Sequence, residues 1–216
     1  MKRDFAVIIP AQESNQYHEK GDLAPFGNTT LLEWKIAQCK EFAKEEQIYI
    51  SAKSNNIKKI ALKENVNFIQ RVDKKEYLEI LRNVQFENIL WTHCTSPFVN
   101  ANVYIKMYDH FINKNLESIV SVNKLQEYIF FKNKKLNLDH EILSRDNIEP
   151  IYVVTNGCFI FKKNKVLEAC NLILENSAMF ELDNFSSLEI KDINDYILFK
   201  ELIAIYFKKD VLDVQG

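Results

Sequence analysis

Phe5-Ala6-Val7-Ile8-Ile9-Pro10 is an unbroken apolar run near the start of the chain. With no polar residue alternating through it, such a run marks a strand buried on both faces of a sheet. A polar stretch, residues 12–28, follows, punctuated by Gly21, Pro25 and Gly27. It is far longer than the roughly 4–6 residues typical of connections in compact domains, and loops of that length are functional or unstructured. Thr29 and Thr30 then offer a cap for a helix whose apolar positions are Leu31, Trp34, Ile36 and Phe42.

Outward from this unit the alternation repeats. The pattern predicts strands at 47–52, 66–70, 88–93 and 118–122, with helices at 54–65, 75–84 and 100–113 between them. Further helices are expected at 165–174 and 195–207. Strands alternating with helices of 10–15 residues predict a three-layer α/β/α sandwich around a mostly parallel sheet with right-handed crossovers. Residues 125–161 break the rhythm: strands at 128–131 and 151–161 flank a charged, irregular segment. That excursion is expected as an antiparallel addition at one sheet edge, a place for an active-site lid or a dimer contact. No linker or repeat interrupts the chain, so residues 1–216 read as one domain.

The composition narrows the class. In 216 residues there are 28 Lys and Arg against 30 Asp and Glu, for a formal charge of −2, and 47% of residues are hydrophobic. The balance excludes a disordered chain and gives none of the basic excess of a nucleic-acid binder. No apolar run approaches the roughly 18 residues of a membrane span. Cys39, Cys94, Cys158 and Cys170 lack Cys-x-x-Cys spacing and sit in apolar stretches, which predicts four buried free thiols and a cytoplasmic setting. Only four glycines occur, and Gly21, Gly27 and Gly157 lie where a ligand is expected. Other turns must use Asn and Asp, which tolerate the left-handed conformation best after Gly.

In an open parallel sheet, ligands bind beyond the carboxyl ends of the strands, where the strand order reverses. That places the candidate site at residues 12–27, 70–75, 93–97 and the loop before the last helix. The residues there are similar to a known pattern. Ala6-Val7-Ile8-Ile9-Pro10-Ala11, the long loop, Pro25-Phe26 and Leu31-Leu32-Glu33-Trp34 resemble the opening of the CMP-sugar synthetases, the cytidylyltransferases of sialic-type acids and 3-deoxy-octulosonic acid. Arg71, Thr95-Ser96-Pro97, Arg145 before Pro150-Ile151-Tyr152, Asn156-Gly157, and residues 188–195 follow in the family's order.

The resemblance implies a nucleotide-diphospho-sugar transferase-like fold and transfer of CMP from CTP to an acidic sugar for surface glycan biosynthesis, in a homodimer. It implies a nucleotide side of Ala11, Gln12, Gln16, Lys20, Arg71, Thr95 and Ser96, and a sugar side of His93, Arg145, Asn156 and Gly157. An acidic sugar's carboxylate suits a bidentate guanidinium, which Arg145 would supply. Magnesium would be held by Glu189 or, after a slip in register, by Asp192.

The departures from the family concern charge. Phosphoryl-type transfer depends on positioning and on neutralising phosphate. Gln12 stands where the family has Arg, Asn15 and Gln16 where it has Ser-Lys, and Gly21-Asp22 where it has Lys-Asn, leaving Lys20 as the cation of the loop. Glu13 adds negative charge beside the expected phosphates. Lys191 occupies a metal-ligand position, where it repels a metal or replaces its charge. Gln12, Gln16, Lys20 and Lys191 are thus the candidate catalytic residues of an altered site, and a catalytically silent relative that binds nucleotide or sugar, or regulates an active synthetase, is the alternative.

Overall fold

The computed structural model describes residues 4–71, 76–137 and 144–213, with the backbone alone at 76, 145 and 206–213. The strands of the main sheet are β1 (Ala6–Pro10), β2 (Ile48–Ala52), β3 (Asn67–Gln70), β4 (Asn88–Trp91), β5 (Ser118–Leu125), β6 (Ile151–Lys162) and β7 (Ala178–Glu181). The principal helices are α1 (Leu31–Lys40), α2 (Asn55–Lys63), α3 (Glu76–Arg82), α4 (Ala101–Asn113), α5 (Lys163–Ala169) and α6 (Ile193–Asp213). The sheet order is β7-β5-β6-β4-β1-β2-β3. β1 pairs in parallel with both β2 and β4, so the chain winds one way from β1 to β3 and then returns to the other side of β1.

β1 is central because every residue from Phe5 to Ile9 is wholly buried, with alternate side chains entering different layers. Val7 and Ile9 join a core with α1, α2, α4 and α6, whereas Ala6 and Ile8 join one with α3 and α5. The mostly parallel three-layer sandwich expected from the sequence is therefore present. Thr30 starts α1 as expected. Its hydroxyl accepts from the Glu33 backbone N–H at 3.2 Å, and the Glu33 carboxylate reaches back to the Thr30 N–H at 3.3 Å, a reciprocal cap.

Three expectations change. β6 is antiparallel, but it lies inside the sheet between β4 and β5, not at an edge. Its C-terminal half, Cys158–Phe161, is wholly apolar and buried, which an edge strand would not be. β7, paired in parallel with β5, was not expected, since Ala178-Met179-Phe180-Glu181 is short and only half buried. Cys39, Cys94 and Cys158 are buried free thiols, whereas Cys170 is exposed, in a left-handed turn at the end of α5. His140 lies outside the described residues. No helix among the described residues is long and apolar enough to cross a membrane.

Candidate functional site

A cleft of ≈ 780 Å³ opens at the carboxyl ends of β1 and β4, the point where the strand order reverses. Pro10 and Gln12 come from the end of β1, Arg71 from just beyond β3, and Trp91, His93, Cys94 and Thr95 from the end of β4. Asn156 enters from β6, and Glu189, Ile190 and Lys191 from the segment before α6. A neighbouring hollow of ≈ 700 Å³ shares Gln12 and Arg71 and adds Ala11, Glu13, Ser14, Lys53 and Ser54.

The long loop is ordered by a carboxylate that sequence reading passed over. Asp22 is buried and accepts from the Gln12 N–H at 2.7 Å and the Tyr17 hydroxyl at 2.5 Å. Burial pushes its carboxyl above the ordinary value, against the pull of these donors and of Arg71. The Asp22 N–H returns a bond to the Gln12 carbonyl at 2.8 Å. Gly21 lets the two strands of the loop touch: its φ is +49°, and an added Cβ would lie 2.7 Å from the Ser14 nitrogen. Its role is this close approach of the loop to itself.

Other charges are already engaged. The Arg71 guanidinium donates to the Ala11 carbonyl at 2.5 Å, which pins it to the end of β1. Glu13 turns to α2 and accepts from the Asn56 amide at 2.5 Å, with its pKa held down by Ser54 and Asn56. Lys20 is exposed and does not line the cleft.

His93 is half-buried, and its Nε2 accepts from the Trp91 indole at 3.1 Å. Burial, followed by the charges of Lys35 and Arg71, lowers its pKa to about 4. A neutral ring whose Nε2 accepts carries its proton on Nδ1, so His93 is a hydrogen-bond donor and not a cation at neutral pH. Asn156 donates to Glu189, joining two expected residues at the cleft wall. Asp192 spends Oδ1 on the Asn194 and Asp195 N–H groups at 2.8 and 3.1 Å, the geometry of a helix cap. No group of three or more His, Cys, Asp or Glu suited to a metal occurs among the described residues.

Ser96 is buried beneath the cleft, and Gly157 faces the core, not the cleft. A Cβ at Gly157 would lie 2.9 Å from Val99 Cγ2, so the space it leaves is filled by strand packing. The side chain of Arg145 lies outside the described residues. An apolar wall of Tyr77, Ile80, Trp91 and Leu172, from α3, β4 and the segment after α5, was not expected. Its signal in the sequence is the apolar face of the 75–84 helix.

No family model matches the sequence, and no curated protein matches it. Solved structures do. CMP:2-keto-3-deoxy-manno-octonic acid synthetase complexed with CTP superposes with a TM-score of 0.70 at 8% identity, over 96% of this chain and 100% of that one. The fold is that of the cytidylyltransferases. The 4-diphosphocytidyl-2C-methyl-D-erythritol synthase of Anaerococcus prevotii gives 0.68 at 14% identity, over 95% of this chain and 99% of that one. The bifunctional IspDF of Campylobacter jejuni gives 0.67 at 16% identity over 89% of this chain, which spans 53% of that protein.

Proposed function

We propose that this chain is a nucleotidyltransferase that binds CTP and transfers CMP to a hydroxyl of an acidic sugar, releasing pyrophosphate, in surface-glycan assembly in the cytoplasm. The observation that carries this reading is the meeting of Gln12, Arg71, His93, Asn156, Glu189 and Lys191 in one cleft at the β1/β4 switch point. Gln12 and Arg71, with Lys53 in the adjoining hollow, form the nucleotide side. His93, Asn156 and Lys191 form the sugar side, Lys191 giving the cation for a sugar carboxylate. Magnesium would enter with the triphosphate and meet one carboxylate, Glu189. Such a site is ordinary for this ion, which binds through one or two carboxylates plus substrate phosphates. A homodimer is supported by the exposed Phe130 (62%), Phe131 (59%) and Val153 of the excursion, since apolar side chains left in water favour a partner.

Arg71→Ala should abolish CTP binding in calorimetry; unchanged affinity would sink the nucleotide-side assignment. The second reading, a silent relative, is favoured by Gln12, Asn15 and Gln16, which line the cleft from the loop without bringing a positive charge to it. Pyrophosphate release from CTP with a panel of acidic sugars separates the two. Turnover eliminates the silent reading, and CTP binding without turnover favours it.

A further inference from the structure

Lys35 lies on the inner face of α1, on one stripe with Leu31 and Cys39, and is 0% exposed. Its Nζ donates to the Ser96 carbonyl at 2.8 Å, the Val99 carbonyl at 3.1 Å and the Tyr104 hydroxyl at 3.0 Å. An ammonium has three N–H donors and no acceptor, so these bonds fill its capacity. They also fix the direction of the network beneath the cleft. Tyr104 Oη accepts from Lys35 and donates to Thr92 Oγ1 at 3.0 Å, which donates to the Gly157 carbonyl at 2.7 Å. Trp34 and Gln38 add bonds to the Pro97 carbonyl, each at 2.8 Å, so α1 holds the whole 96–99 turn.

All of these acceptors are neutral. The titratable groups facing Lys35 are Cys39 on α1, Tyr104 on α4, His93 and Cys94 after β4, and Cys158 on β6. Burial pushes the Cys39 thiol up to about 12 and raises Cys94, Cys158 and Tyr104 well above their ordinary values, so none is an anion at neutral pH. Among the described residues no carboxylate forms an ion pair with Lys35. A buried charge without a counter-charge is strongly disfavoured, and burial lowers the Lys35 pKa to about 8. The charge is felt in the cleft, because it helps to depress His93.

We infer that the counter-charge of Lys35 is the anionic ligand of the cleft, and that Lys35 supplies from below the positive potential that Gln12 and Gln16 do not supply from the loop. The inference rests on the proposed reading in that the ligand is a nucleoside triphosphate. Lys35 is a positioning residue: it touches the floor of the site and acts on the ligand through its field. In a low-dielectric interior such a field reaches further than that of a solvated lysine.

The test is an NMR titration of ¹³Cε-labelled lysine in the wild-type protein, free and saturated with CTP or ATP. The Lys35 signal is assigned by its loss in Lys35→Met or, where that variant does not fold, in Lys35→Arg. The expected result is an upward shift of about one pH unit in the Lys35 titration on nucleotide binding, equivalent to a tenfold stronger affinity for the charged lysine. Correspondingly, Lys35→Met should bind about tenfold more weakly and lose the fall in affinity between pH 7 and 10. A lysine that only ties the turn would titrate alike with and without nucleotide, which overturns the inference even if Lys35→Met fails to fold. Binding of ATP but not CTP would sink the cytidine reading and leave the Lys35 measurement intact. Binding of neither nucleotide overturns both.

Discussion

Gln16 Nε2 donates to the Lys191 carbonyl at 3.0 Å across a sequence separation of 175 residues. The bond ties the loop after β1 to the segment before α6 at the rim of the cleft. Beside it, the Tyr17 and His18 rings lie 6.3 and 5.0 Å from Tyr196. Gln16→Ala removes one exposed hydrogen bond, about 0.5–1.5 kcal/mol net. Thermal unfolding should change little, whereas CTP affinity measured by calorimetry should fall severalfold. Equal affinity would show that this tie is not part of the binding site.

Asp22 gives a pH-dependent prediction. Its folded pKa lies above the ordinary 3.8, with burial as the leading cause. The folded protein therefore binds this proton before the unfolded chain does, and the associated stability grows as pH falls through the folded value toward 3.8. Asp22→Ala also strands the buried Tyr17 hydroxyl, which costs about 1–3 kcal/mol, and frees the Gln12 N–H of an exposed residue, which costs less. Urea unfolding should show wild type more stable than Asp22→Ala, with the gap widening as pH is lowered. A gap that narrows would mean that Asp22 is ionised throughout.

The sequence carried most of the architecture because β1, β2 and β4 are locally apolar and α1 has its own cap. Asn65, Asn115 and Asn133 adopt positive φ, as expected of a chain so poor in glycine, but Lys132 and Cys170 do so too, and no Asp does among the described residues. The place of β6 was not legible, since sheet order depends on contacts between distant segments while its residues declare only a buried strand. Among candidate site residues, Gln12, Arg71, His93, Asn156, Glu189 and Lys191 converge, but Ser96 and Gly157 serve the interior. Lys35 could have been noticed: it falls on the Leu31–Cys39 stripe, where a lysine is out of pattern. Its acceptors, 61 to 69 residues away, could not.

For Lys35 the stability prediction has the opposite sign to that of a surface lysine in an ion pair. Its folded pKa of about 8 lies below the ordinary 10.5, so between these values the unfolded chain holds more protons. Wild-type stability should rise with pH across that window relative to Lys35→Met, by up to about 3 kcal/mol. Urea unfolding of both proteins between pH 7.5 and 10.5 measures the difference. A constant difference would place the Lys35 pKa at its ordinary value.

Gly157 tests whether strand packing governs the cleft wall. An added methyl would meet Val99 Cγ2 at 2.9 Å, Ser121 Oγ at 3.1 Å and Thr155 Oγ1 at 3.2 Å. Asn156 adjoins Gly157 in the stretch where the pairing of β6 with β5 shifts register, so a backbone shift there carries Asn156 with it. Gly157→Ala should cost about 1–3 kcal/mol, the usual scale for overpacking a tight interior. Because Val99 is the nearest neighbour, Val99→Ala in the same chain should recover part of that loss, although Val99→Ala alone destabilises. Non-additivity of this sign in urea unfolding identifies the contact as the cause. Strictly additive losses would mean that the strand yields and that the glycine is needed for another reason.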